Sequence, residues 1–349
     1  MRGGGAGPWG AVTSVTFKLH KPRCTEQCYF VENCIWQRKY SEDDGKMAAD
    51  LVAKFMQWVS TSASNYWSGY VLVAADPTPD VYNVVFADMM FVGDKSDPDR
   101  KSLDDFFRDV YPNKVVYYGN QTYDTYFEKT LTQPPEPVGV KSPQIDWTSV
   151  LLNGTVIAEN SEDIANDMIN TWVPRCYRSP FFSQDCGYMF EMHMTLPRQG
   201  KLNPGKDCSR LTTFKIKMEN LKFLLLILTD TSISESFRRA KLHVTTGGAM
   251  NLRGTDVTAE ENTKFVHKVL GPSLYKYGEG SYYSESEHCM SPGQWQQRLW
   301  GQEVYDRLLR IKQTWDPENI FACRHCVGDE AQHIEVNSHT LPTWRFHKH

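Results

Sequence analysis

The sequence predicts an α+β fold in which an antiparallel sheet is covered by helices. Segments rich in β-branched and aromatic residues alternate with segments whose apolar residues recur at helical spacing. Two strand-like segments, Tyr70 to Ala75 and Tyr82 to Phe91, flank the turn sequence Asp76-Pro77-Thr78-Pro79, which predicts a hairpin. At 349 residues and 40% hydrophobic content, the chain is long enough to bury a large core in one or two domains.

The first half of the chain contains both kinds of element. Lys46 to Val59 has the apolar spacing of an amphipathic helix, and Ser102 is placed to cap a second helix that ends at Val110. The other predictions here are a strand over residues 11–20 that ends at Lys21-Pro22, a strand from Cys28 to Ile35, and a proline-rich surface connection from Thr132 to Pro143.

The second half repeats this pattern. A helix capped by Ser161-Glu162-Asp163 is predicted to run to Trp172, and Gly187 to Thr195 is strand-like. One or two strands are predicted over residues 214–228. A helix from Thr258 to Leu270 would follow, with Glu261 at capping-box spacing from Thr258.

Charge and hydropathy exclude several classes of partner. The net charge is −4 and the basic residues are dispersed, so neither nucleic acid nor an anionic membrane is expected as a partner. The strongest apolar run, Leu221 to Leu228, is too short to span a bilayer. No signal peptide is recognisable, because the basic start is followed by glycine and not by an apolar segment.

Nine cysteines and the glycosylation sequons at Asn120 and Asn153 favour an oxidising, secretory environment with disulfides. The odd number of cysteines leaves either a free thiol or a partner outside the chain. Structural zinc is the alternative for Cys323-Arg324-His325-Cys326 and for Cys24, Cys28 and Cys34. It is disfavoured, because the two clusters lie at opposite ends of the chain and their spacings are irregular.

The chain opens on a glycine-dense loop, Gly3 to Gly10, that runs into alternating Val12, Val15 and Phe17. Such a loop lets a bulky ligand approach the backbone, because no side chain stands in the way. A phosphate loop would need a strand before the glycines and a helix after them, so a Rossmann or P-loop interpretation is disfavoured. A flexible terminus without a ligand is the remaining alternative.

The opening loop and the residues after it resemble the last flavin-contacting segment of the berberine-bridge-enzyme-like FAD-linked oxidases. The resemblance lies in Gly3-Gly4-Gly5-Ala6-Gly7-Pro8-Trp9-Gly10-Ala11-Val12-Thr13-Ser14. These oxidases are members of the vanillyl-alcohol-oxidase superfamily and have a PCMH-type fold. A second region is similar to the closing segment of the same family. It contains Gly280 to Glu285, Trp295 to Gly301, a helix through Tyr305 and Lys312, the stop Asp316-Pro317 and a core residue, Phe321.

The resemblance implies a site. Tyr282 is the candidate catalytic residue, serving as a base toward a substrate hydroxyl, which requires a tyrosine whose pKa is lowered from about 10. If residues 280–285 form a strand, Tyr282 and Ser284 share the face toward the flavin. The implied FAD-binding residues are Gly5, Gly7, Trp9, Gly10, Val12 and Ser284, although the family has asparagine where this chain has Ser284. A structural role for Tyr282 is the alternative.

The resemblance also implies a domain division and an activity. Residues 1–22 would end an FAD-binding domain whose earlier half is missing, and residues 23–279 would form the substrate domain. Within that domain, residues 208–229 are an insertion, a buried strand pair or a misjoined segment. Residues 280–330 would return to the FAD side, and 331–349 would be a tail.

The implied activity is transfer of a hydride from a small-molecule C–H or alcohol to FAD, with oxygen as acceptor. A second hypothesis is a secreted binding domain, or an inactive remnant, without flavin.

Overall fold

The computed structural model describes residues 7–14, 16, 27–39, 42–64, 66–76, 81–110, 115–132, 145–172, 190–193, 232–249 and 263–331. The predicted α+β class is confirmed: the strands form an antiparallel sheet and the long helices lie on it. The predictions for Gly3 to Ala6, Cys24, Thr258 and residues 77–80, 133–144 and 208–229 lie outside the described residues.

Within the part of the chain that the structure describes, the sheet has seven strands in the order β4-β1-β3-β2-β6-β7-β5, and every pairing is antiparallel. Their bounds are β1 Tyr29–Lys39, β2 Trp67–Asp76, β3 Val81–Val92, β4 Val115–Tyr123, β5 Ile145–Asn153, β6 Phe190–His193 and β7 Ala240–Ala249. The strand predicted at Cys28 to Ile35 therefore corresponds to β1, and the one at Gly187 to Thr195 corresponds to β6. The predicted hairpin corresponds to the β2–β3 pair.

The α-helices among the described residues are α1 Glu42–Thr61, α2 Ser102–Val110, α3 Tyr126–Thr132, α4 Gly154–Asn166, α5 Glu235–Arg239, α6 Gly271–Tyr275, α7 Gln294–Leu299 and α8 Gln302–Trp315. A π-helical segment, Asp167–Trp172, extends α4, and another, Val266–Leu270, leads into α6. The predicted helices at 46–59, 102–110 and 305–312 are confirmed as α1, α2 and α8.

One face of the sheet supplies the main core. Alternate residues of the strands, such as Val71, Val84 and Val150, are buried against α1 and α4, because successive strand side chains point to opposite faces. Phe55 of α1 makes an edge-to-face contact with Phe86 of β3 at 5.2 Å. We call the opposite side, which carries Ser149 of β5 among others, the open face.

One predicted helix start, one predicted helix cap and one predicted strand are wrong. The helix predicted from Ser161 begins at Gly154, because the Asn153 side chain caps it by accepting from the Val156 N–H at 2.9 Å. Ser102 is not a cap: Asp97 caps a 3₁₀ turn, Pro98–Lys101, that runs directly into α2. The strand predicted over 11–20 is not formed at residues 11–14 and 16, and the rest of it lies outside the described residues.

A second apolar cluster forms around α7 and α8; we call the region from Gln294 to Ala331 the C-terminal lobe. Trp295, Trp300 and Tyr305 form its aromatic centre, and Trp9 from the start of the chain packs against it. Phe321 was predicted to fill this core, but 40% of it is exposed. The buried Lys312 Nζ donates to Phe321 O within the lobe and to Pro8 O of the opening segment, each at 2.7 Å. It therefore links the opening segment to the lobe.

Within the described residues, we find no helix with the length and apolarity needed to cross a membrane.

Candidate functional site

The segment from Gly280 to Tyr282 is held on the edge strand β5 by its backbone. Gly280 pairs with Leu151 as an antiparallel bridge, with the Leu151 N–H donating to Gly280 O at 2.9 Å. The Ser281 hydroxyl donates to Ser149 O at 2.6 Å, and the Tyr282 N–H donates to Ser149 Oγ at 3.0 Å. These bonds carry the chain from the edge of the sheet onto its open face.

On that face the ring of Tyr282 lies beside Phe237 of α5 and His243 of β7. The ring centroids are 5.9 Å and 5.3 Å away, and the histidine contact is edge-to-face. His243 is buried, and its Nε2 lies 3.7 Å from Glu285 Oε2. Tyr282 itself remains 36% exposed. The structure thus gives Tyr282 a fixed ring and an accessible edge, next to two titratable groups.

The strand predicted over 280–285 is wrong beyond Tyr282, because Tyr283–Glu285 forms a 3₁₀ turn. Strand alternation therefore does not apply here, and Tyr282 and Ser284 do not share a sheet face. The turn brings Glu285 to His243 and leaves Ser284 exposed. The roles of Tyr282 and Ser284 toward a substrate or flavin stay predictions.

Arg298 contacts the segment that leads into Tyr282, and its role was not predicted from the sequence. Its Nε donates to Ser281 Oγ at 3.0 Å and its Nη2 to Gly278 O at 2.9 Å. Its guanidinium lies 3.6 Å from the ring centroid of Tyr275. Burial lowers the pKa of Arg298 to about 10. Its signal in the sequence is only an arginine in a short, mostly polar helix, which does not reveal its partners.

A buried polar group on the helix side of β5 was also missed. His288 Nδ1 lies 3.0 Å from Asp146 Oδ1, and His267 Nδ1 lies 3.3 Å from Glu287 Oε1. Burial raises the pKa of Glu287, and the neighbouring His267 opposes that rise. The first pair joins β5, and the second joins the π-helical segment Val266–Leu270, to the segment that follows Tyr282.

The opening segment lies against the C-terminal lobe. A Cβ on Gly7 would come within 2.8 Å of Cys323 Sγ, so glycine is required there for packing. The Tyr283 hydroxyl lies 2.9 Å from Cys326 Sγ, on the same disulfide, Cys323–Cys326. The opening segment and the residue after Tyr282 therefore meet at one place.

After Trp9 the opening segment leaves the lobe and is more exposed to solvent. Gly10 has φ of +133° and no atom within 4 Å of a Cβ built on it, and Val12 is exposed. Gly5 lies outside the described residues, so the predicted flavin contacts of Gly5, Gly7, Trp9, Gly10 and Val12 stay predictions.

The cysteines of the described part have mixed states. Cys323 and Cys326 are disulfide-bonded with their Cα atoms 5.2 Å apart, and Cys28 is also in a disulfide. Cys34 and Cys289 are free thiols. No group of three or more potential metal ligands is found in the described ranges.

A cleft of about 550 Å³ adjoins α5. It is bounded by the end of β5, by α5, by the turn after α6 and by the start of α8. Its lining mixes polar and apolar surface, and its polar side chains include Asn153, Ser236, Tyr277, Glu279, Gln297 and Glu303.

Comparison with known proteins supports the predicted resemblance. Residues 260–328 match the family model described as berberine and berberine like. An uncharacterized FAD-linked oxidoreductase from Arthroderma benhamiae is 24% identical over 336 residues, which is 95% of this chain and 50% of the relative. The FAD-linked oxidoreductase ffsJ from Aspergillus flavipes is 37% identical over 68 residues, 20% of this chain and 10% of the relative.

Solved structures show the same fold. The VAO-type flavoprotein MtVAO713 from Myceliophthora thermophila C1 superposes with a TM-score of 0.59 at 18% identity, covering 86% of this chain and 48% of that protein. Glucooligosaccharide oxidase from Acremonium strictum gives a TM-score of 0.53 at 10% identity, with 86% and 56% covered. The chain spans about half the length of the first relatives it matches. Residues 260–328 thus form a berberine-like segment, and the chain shares the fold of about half of a VAO-type flavoprotein.

Proposed function

We propose that this chain forms the substrate-side half of an FAD-linked oxidoreductase that oxidises a small-molecule alcohol or C–H bond. One observation carries the proposal. The two segments whose sequences resemble flavin-contacting regions lie far apart in the chain, yet both contact the Cys323–Cys326 disulfide, through Gly7 and Tyr283. The relatives named as FAD-linked oxidoreductases support FAD as the cofactor.

The residues present fit part of a flavin site. The backbone at Gly10 has open space where a side chain would stand, and the exposed residues that follow leave it accessible. Gly7 does not offer that space, because Cys323 occupies it. We therefore infer that Gly10 and the stretch to Val12, and not Gly7, would adjoin the ring system.

FAD, when bound, supplies the acceptor for the hydride. This chain's residues would bind and orient the substrate and hold the proton that the oxidised hydroxyl releases. The Tyr282 side chain is the candidate to receive that proton, which it can do only from its phenolate form. Ser149 fixes its backbone, and Phe237 and His243 fix its ring. Molecular oxygen is the proposed final acceptor of the electrons.

A further flavin-binding domain completes the proposal. The C-terminal lobe exposes Trp315, 83% accessible, with Ile311, Ile320 and Phe321 in the same region. Exposed apolar side chains on one lobe are typical of surfaces that another domain covers. The relatives, which are about twice as long as this chain, are consistent with such a domain.

We also propose that the protein is secreted and glycosylated. The disulfide at Cys323–Cys326 supports an oxidising compartment, since such bonds are rare in the cytosol. The sequons at Asn120 and Asn153 are consistent with that route.

The test is an FAD titration of the purified chain, followed by absorbance spectroscopy and by substrate-dependent bleaching of the flavin bands. We expect bound flavin, and we expect Tyr282→Phe to bind it equally while bleaching about 10²- to 10⁴-fold more slowly. Tyr117→Phe, exposed on β4, is the matched control and should behave as the unmodified chain. A chain that stays colourless with FAD would favour the flavin-free binding domain or remnant.

A further inference from the structure

We propose that Asn153 carries an N-linked glycan and that the first sugars of this glycan lie in the cleft beside it. The inference goes beyond flavin chemistry, and it requires only that the chain pass through the secretory pathway. It rests on where the Asn153-Gly154-Thr155 sequon lies in the fold and on the chemistry of the adjoining cleft.

Asn153 has two structural roles that leave its amide nitrogen available. It ends β5 and caps α4, with Oδ1 accepting from the Val156 N–H at 2.9 Å. Glycan transfer joins Nδ2 to C1 of an N-acetylglucosamine. The sugar–phosphate bond of a lipid-pyrophosphate oligosaccharide breaks, the lipid pyrophosphate leaves, and the amide loses one proton. Oδ1 does not take part, so the helix cap survives the modification.

The sequon is also accessible from solvent. Thr155 lies exposed in the first turn of α4, and a Cβ on Gly154 would make only an ordinary contact, 3.6 Å from Lys241 Cγ. Asn153 itself is half-buried, so part of it reaches the surface.

Asn153 itself lines the 550 Å³ cleft, a volume inside the range of roughly 300–1,000 Å³ typical of ligand pockets. The walls offer carboxylates from Glu279 and Glu303 and the amide of Gln297, which suit sugar hydroxyls and the acetamide group. Tyr277 adds an aromatic ring. A mixture of hydrogen-bonding groups and aromatic surface of this kind fits an amino sugar better than it fits an apolar ligand.

A glycan in this position would connect three parts of the fold. The cleft is bounded by β5 and α4 of the sheet domain, by α5 and by the start of α8 in the C-terminal lobe. Phe237, which packs on Tyr282, belongs to α5. Sugars in the cleft would therefore stabilise the position of α5 and of the lobe against the sheet.

The test uses the full chain, secreted from a eukaryotic host behind an added leader, in two variants. Thr155→Ala removes the acceptor sequence but keeps the Asn153 cap, and Thr155→Ser keeps both. Peptide mass spectrometry measures occupancy at Asn153, and hydrogen exchange measures protection of amides 275–279 and 297–304. N,N′-diacetylchitobiose is added to Thr155→Ala as a free probe.

We expect Asn153 to be occupied in Thr155→Ser, and the two amide segments to exchange about tenfold faster in Thr155→Ala. Millimolar chitobiose should restore part of that protection. An unmodified Asn153 overturns the proposal, whatever the state of Asn120. An occupied Asn153 with unchanged exchange in both segments overturns the placement of the sugars in the cleft. Neither result depends on whether the chain binds flavin.

Discussion

Replacing Glu32 by glutamine is expected to stabilise this protein above pH 7 and to have little effect near pH 4.5. The Glu32 side chain on β1 is completely buried, and its Oε1 lies 2.6 Å from the Tyr118 hydroxyl of β4. The same hydroxyl lies 2.8 Å from Asp104 Oδ1 on α2. A hydroxyl has one hydrogen, so it can donate fully to one carboxylate only. A proton on Glu32 resolves the conflict, because Glu32 can then donate to Tyr118.

Burial raises the pKa of Glu32 from 4.5 to about 7, and the charge of Asp104 adds to this rise while Arg100 opposes it. Between pH 4.5 and about pH 7, Glu32 keeps its proton in the folded protein and releases it in the unfolded chain. Stability therefore falls as pH rises through this window, and the full cost of about 3 kcal/mol is reached above pH 7. Glutamine keeps an acceptor for Tyr118 but carries no charge, so the variant should lack this decline.

The assay is urea unfolding followed by tryptophan fluorescence at several pH values from 4.5 to 8.5. The difference in unfolding free energy between Glu32→Gln and the unmodified chain should grow with pH to about 3 kcal/mol. Glu159→Gln, an exposed position on α4, is the control and should give a constant difference. A Glu32→Gln difference that does not change with pH would refute the shared-proton interpretation.

Three further predictions concern the opening segment and the C-terminal lobe. Lys312→Ala should lower the unfolding free energy by about 1–3 kcal/mol in urea titrations, because the carbonyls of Pro8 and Phe321 lose a buried donor; the exposed Arg310→Ala should change it little. Replacing both Cys323 and Cys326 by serine should cost about 2 kcal/mol, the value for closing a very short loop, and a change near zero would contradict the role of this disulfide in holding the lobe. Gly10→Val should fold with a cost of about 1–3 kcal/mol from its positive φ and should weaken FAD binding in an absorbance titration; Gly154→Ala is its control, and unchanged FAD affinity would remove Gly10 from the proposed site.

Periodicity predicted the main elements well where an element has one buried face. Helix α1 and the β2–β3 hairpin were located correctly, because their apolar residues repeat at the spacing that burial on one side requires. Element starts were less predictable. Asn153 and Ser161 are both plausible caps by composition, and only the strand that precedes Asn153 decides between them.

The candidate site was predicted in part. Tyr282 was found through its resemblance to a family motif, but its neighbours Phe237 and His243 come from α5 and β7, distant in sequence. The exposed Ser284 and Phe321 show the limit of such reasoning, since a motif does not state whether its residues form a strand or a 3₁₀ turn.

The sequence by itself determined the α+β class, the amphipathic helices and the likeness of both chain ends to flavin-contacting segments, because each is a local pattern of residue types. Only the tertiary structure decided that Gly7 and Tyr283 meet at one disulfide, that Lys312 is buried among carbonyls, and that Glu32 shares a hydroxyl with Asp104. These contacts join residues that lie far apart along the chain. Their energies depend on burial and on the number of partners for each polar group, which exist only once the chain has folded.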